Sequence, residues 1–185
     1  MADDSMTIEL SRSELREVAG YAAACARPAL AIFERERPGD RRPRSAIEAA
    51  EAFADGGERT KLLRDSAWAA HRAAQQARDA GQAAANDAAR AAGHAVGAAF
   101  LHPLSKATQV KHILGSAAHA ARAFELSAGD DPAVGLDQIA QSRILAPPVV
   151  AEVLGRYPSA PPGGGRVGEL IRRLDASLRR PATDR

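Results

Sequence analysis

The chain has 185 residues with a formal charge of +2, and about a quarter of them are alanine. That length suits one domain with a sizeable core. The small positive balance, with Arg spread along the chain, lacks the massed basic footprint of a dedicated nucleic-acid binder. A single cysteine, Cys25, excludes a disulfide within the chain.

Alanine is the best helix former and adds little volume. The block from 12 to 128 therefore reads as helices packed at close range around a few larger anchors. These are Leu15, Val18, Ile32, Phe33, Leu63, Trp68, Phe100, Val110, Ile113 and Phe124, with Leu170 and Leu174 further on.

Residues 1–4 are acidic, unlike the basic start of a signal peptide. Ser11-Arg12-Ser13-Glu14 fits a capping box. A helix follows to about Arg37, with an apolar seam of Leu15, Val18, Ala22, Cys25, Ala29 and Ile32 and a kink expected at Pro28. Pro38-Gly39-Asp40 stops it, and Asp40 is positioned to cap a second helix that ends at Gly56-Gly57.

Thr60 begins a third helix, to about Ala80, with the stripe Leu63, Ala67, Ala70, Ala74 and Ala77. A fourth is expected from about Gln82 to His102; its Gly93 and Gly97 read as a close approach of another helix. A fifth starts near Ser105 and carries Val110, Ile113, Ala117, Ala120 and Phe124, ending at Gly129. Shorter helices follow Asp131-Pro132 and Pro147-Pro148. Residues 158–165 form a Pro/Gly linker, and a final amphipathic helix carries Val167, Leu170, Ile171, Leu174 and Leu178.

No strand pattern and no fixed repeat period is present, so the expectation is an all-α compact bundle of about seven or eight helices. Residues 8–128 form its alanine-rich core, and 130–185 form a C-terminal helical extension packed on that core within a single domain. The most apolar stretch, 91–104, is too short to span a bilayer, so no membrane partner and a cytoplasmic location are expected.

Chemistry-bearing motifs are sparse. There is no phosphate-binding loop and no nucleophile elbow. No paired carboxylates stand at a persuasive spacing, and Cys25 reads as a small core residue. His112 and His119 are seven apart, about 10 Å along a helix axis, too far to share one ion. No catalytic residue, metal site or cofactor is assigned.

Two helical faces stand out. Arg64, Trp68 and His71 fall at i, i+4 and i+7, and Arg90 and His94 do the same one helix later. Should these faces meet, Arg44, His71, Arg90, His94 and His102 make a candidate polar pocket suited to an anion or a partner's carboxylate. Internal ion pairing with Glu48, Asp65 or Asp87 is the plainer alternative. Arg41-Arg42-Pro43-Arg44 opposes the helix dipole at a helix start and needs an acid such as Asp40 or Glu48, or solvent, to offset it.

Several runs carry a family resemblance. They are Tyr21-Ala22-Ala23-Ala24-Cys25-Ala26 leading to Phe33-Glu34, then Arg37-Pro38-Gly39-Asp40 with Arg42-Pro43-Arg44 and Ala46-Ile47-Glu48-Ala49-Ala50. Ala69-Ala70-His71-Arg72-Ala73-Ala74 and Ala88-Ala89-Arg90-Ala91-Ala92-Gly93-His94-Ala95 follow. Together, over about 15–128, they resemble the bacterial immunity-protein-five-like family.

The resemblance implies a cytosolic helical protein that binds and blocks a cognate protein toxin without enzymatic chemistry. The alternative is an enzyme or a small-ligand or metal-binding protein using the internal Arg/His pocket. Nucleic acid is not an expected partner; it would need Arg41, Arg42, Arg44, Arg172 and Arg173 on one surface. A homodimer contact would use the apolar face of 167–178, were it exposed.

Overall fold

A computed structural model describes residues 7–180; the acidic residues 1–4 lie outside them. The fold is all-α. Its helices are α1 (Arg12–Ala26), α2 (Leu30–Glu36), α3 (Arg42–Ala54), α4 (Lys61–Asp79), α5 (Ala83–Ala98), α6 (Val110–Ser127), α7 (Pro132–Leu145), α8 (Pro148–Gly155) and α9 (Gly165–Arg179). Among the described residues the only extended pairing is an isolated bridge between Thr7 and Leu104.

Local chemistry sets the helix ends. Ser11 and Glu14 close a reciprocal capping box on α1, with Glu14 N to Ser11 Oγ at 3.1 Å and Ser11 N to Glu14 Oε2 at 2.8 Å. Pro28 does not break the first rod. It tightens Arg27–Ala29 into a 3₁₀ turn that joins α1 to α2.

The basic start of α3 is neutralised by two acids. Asp40 accepts from the Arg42 amide and guanidinium, and Glu34 takes Arg44 in a two-point fork at 2.7 and 2.8 Å. Both acids are lowered from their usual carboxylate values for that reason, and Glu34 rather than Glu48 is the ion-pair partner of Arg44. Gly81, at φ +75°, turns α4 into α5.

Helix α5 is the axis of the bundle. It packs against α1, α2, α3, α4 and α6, and it can do so because Ala84, Ala85, Ala88, Ala89, Ala91, Ala92, Ala95 and Ala98 present only methyl groups, all buried. A helix that is apolar over most of its surface belongs in an interior. Phe33, Ile47, Phe53, Ile113, Leu114 and Leu154 fill the spaces that alanines leave.

Two boundaries differ from expectation. Helix α5 ends at Ala98, so His102 lies beyond it, and α6 begins at Val110 after a 3₁₀ turn, Ala107–Gln109. Pro103 and the pairing of the 103–104 segment with residues 7–8 hold that connection extended; Ile8 N donates to Pro103 O at 2.6 Å. Trp68, read as a core anchor, is 60% exposed. The one tryptophan therefore sits on the surface, while alanines of the same helix take the buried stripe.

The C-terminal helices cover α6. Leu170 and Leu174 are buried, and α9 packs on α6, α7 and α8, so the apolar face of 167–178 is not free for a dimer. Glu125 on α6 is fully buried between Arg122 and Arg166 and ties α9 to the core. Among the described residues no helix is long and apolar enough to cross a membrane.

Candidate functional site

Helices α4, α5 and α6 line a solvent-open cavity of about 310 Å³, bordered by Ala67, Trp68, His71, Arg90, Gly93, His94, Gly97 and His112. Each helix contributes one edge. Trp68 and His71 come from α4, one turn apart, with ring centroids 6.2 Å apart at 85°. Arg90 and His94 come from α5, four residues apart. His112 comes from the first turn of α6, its ring 6.4 Å from that of His94.

Behind the cavity the histidines continue inward. His94 stacks on His119, with centroids 5.0 Å apart and planes 17° apart. The Nδ1–H of His119 donates to Asp87 Oδ1 at 2.6 Å, and both residues are buried. An ionised carboxylate only accepts, so this bond sets the His119 tautomer.

Space for the stack comes from Gly115. A Cβ at that position would stand 2.8 Å from His94 Nδ1, closer than real side chains tolerate. Burial holds His94 well below the ordinary histidine value, reinforced by His119, His112, Arg90 and Lys111. His112 is lowered by burial and by Lys111. Both imidazoles are therefore neutral near pH 7 and act as hydrogen-bonding groups rather than charges.

The structure brings His71, Arg90 and His94 together around this cavity. It does not bring Arg44 or His102 to it. Arg44 is held by Glu34 at the start of α3. His102, past the end of α5, is exposed, its backbone held by Gln109 and Tyr157. Arg64 stacks over Phe100, 5.3 Å from the ring centroid. The acid nearest the histidines, Asp87, is taken by His119 rather than by an arginine.

His112, His119 and Asp87 were not assigned to the pocket from sequence. Their signal is the stripe His112-Gly115-His119 on one side of α6, in which a glycine marks where a ring from another helix must enter. Among the described residues no three His, Cys, Asp or Glu groups are placed to hold a metal ion.

Comparison with known proteins then places the chain. It matches, over residues 9–146, the model of a family described as Imm-5 like putative immunity protein. The chain belongs to that family. No curated protein and no solved structure matches it.

The matched segment takes in α1 through α7 and so the whole cavity. It extends past the 15–128 resemblance: α7, expected to be part of the C-terminal extension, belongs to the shared Imm-5-like region, and α8 and α9 lie outside it.

Proposed function

We propose that the protein is an immunity protein that neutralises a cognate protein toxin by binding it, with no chemistry of its own. Membership of the Imm-5-like family over 9–146 carries this reading. The exposed indole of Trp68 supports it, because tryptophan is enriched among the residues that dominate protein interfaces.

The net charge of +2 bears on the kind of toxin. Charge complementarity speeds association, so inhibitors of basic nucleases are favoured when acidic. This chain fits a target that is not strongly basic.

A second reading has its own observation. His71, Arg90 and His94 line one cavity rather than being paired off separately, which supports a ligand-binding or enzymatic role for that pocket.

Capture from the native host with tagged full-length protein, beside a His71→Ala/His94→Ala double variant, separates the two readings. A stoichiometric toxin-like partner held by both proteins supports immunity through an external surface. No partner, with a small molecule carried only by the unmodified protein, overturns it in favour of the pocket.

A further inference from the structure

Gly93 lies within α5 and Gly97 in its last turn, and neither has a positive φ. Glycine weakens a helix relative to alanine, so each needs a reason. Close helix packing, the expectation from sequence, is not that reason. A Cβ at Gly93 would meet nothing nearer than 3.8 Å, and one at Gly97 nothing nearer than 3.7 Å from His112 Nδ1. Alanine would fit at both positions. What it would take away is cavity space, since both glycines line it.

The walls have a definite character. Among the described residues no acid lines the cavity. Arg27, Arg42, Arg44, Arg122, Arg156, Arg166 and Arg179 each grip a carboxylate; Arg90, exposed at the edge of the cavity, has no ion pair or hydrogen bond with another described residue. The cavity thus offers one free guanidinium, the neutral imidazoles of His94 and His112, and a flat apolar surface from Trp68. A guanidinium binds a carboxylate through two parallel bonds. Arg90 is the one cation among the described residues that line the cavity, and a single lining cation matches a monoanion better than a phosphate. A volume of about 310 Å³ is at the small end of ligand pockets.

We propose that this cavity is a binding site for a small monocarboxylate with a flat apolar body, its carboxylate held by Arg90 and its body lying over Gly93 and Gly97 beside Trp68. The inference stands apart from the immunity reading, because it concerns a free small molecule and is measured on the isolated protein.

The test uses the full-length protein titrated with benzoate, followed by the fluorescence of its single tryptophan and by calorimetry. The expected result is saturable one-to-one binding. Benzamide, acetate and inorganic phosphate should each bind at least about tenfold more weakly, a difference of about 1.4 kcal/mol. Arg90→Gln, Gly93→Ala and Gly97→Ala should each weaken benzoate by a similar factor, with the melting temperatures of the two alanine variants equal or raised. Absence of saturable binding, benzamide or phosphate matching benzoate, or unchanged affinity in Arg90→Gln would overturn the site. So would a lowered melting temperature in both alanine variants, which would make the glycines packing residues after all.

Discussion

The imidazole of His94 occupies the space that a side chain at Gly115 would fill, with 2.8 Å between His94 Nδ1 and the position of the missing Cβ. This places a ring from α5 against the backbone of α6, and it sets one wall of the cavity. Gly115→Ala must therefore shift His94 or part the helices. Overpacking of this kind costs about 1–3 kcal/mol. Urea melts should show that loss, and the His94 ring resonances should move; unchanged stability with an unmoved ring would contradict the packing described.

His119 and Asp87 form the buried end of the histidine stack, 2.6 Å apart. Asp87→Ala leaves the His119 Nδ1–H without its acceptor, at a cost of about 1–3 kcal/mol. Asp87→Asn keeps an acceptor and should lose less. Equal losses in the two variants, read by chemical denaturation, would show that the hydrogen bond is not what holds this end.

Glu125 has no exposed surface and meets both Arg122 and Arg166. Removing one partner of a buried ion pair costs about 3–5 kcal/mol, so Glu125→Ala should be among the most damaging single changes in the chain. Gly135 on α7 closes over the same carboxylate, and a Cβ there would overlap it; Gly135→Ala should also destabilise strongly. Limited proteolysis should detect early release of α9 in both variants. Wild-type resistance in either would contradict the tie.

His94 and His112 both resist protonation in the folded chain. The unfolded chain takes up protons near the ordinary histidine value of 6.5, so it binds more protons than the native state as the pH falls below that value. Their contribution is fully present above it and is lost on acidification. The lowered carboxylates Glu14, Glu34 and Asp40 act further down, below ordinary values of 4.5 and 3.8. Stability should therefore decline between pH 7.5 and 5.5, and His94→Gln should flatten that decline. An equally steep decline in the variant would assign it elsewhere.

Much of the architecture is legible in the residues. Helix periodicity, the Ser11/Glu14 cap, the Gly81 turn and the Pro/Gly linker act locally, and local chemistry is what a sequence displays. The meeting of the α4 and α5 faces was foreseeable as a condition, because i, i+3 spacing puts Trp68 beside His71 and i, i+4 spacing puts Arg90 beside His94. The rest depends on tertiary choices.

Trp68 stays outside because the alanines of α4, not its indole, fit the spacing to α5. Gly93 and Gly97 looked like contact glycines, yet the neighbouring helices leave room for a methyl group. Arg44 was taken by Glu34, ten residues away and on another helix. The Glu125–Arg166 pair joins residues 41 apart and has no local signature.

The most direct test of the account is neutralisation by mass action. The toxin-like partner captured from the native host is expressed in a heterologous bacterium at a level that stops growth, with this protein supplied from a separately regulated promoter. The account predicts that growth returns as the protein reaches equimolar amount and that the two purify as a stable complex. Unrelieved growth arrest at a molar excess of folded protein would contradict it.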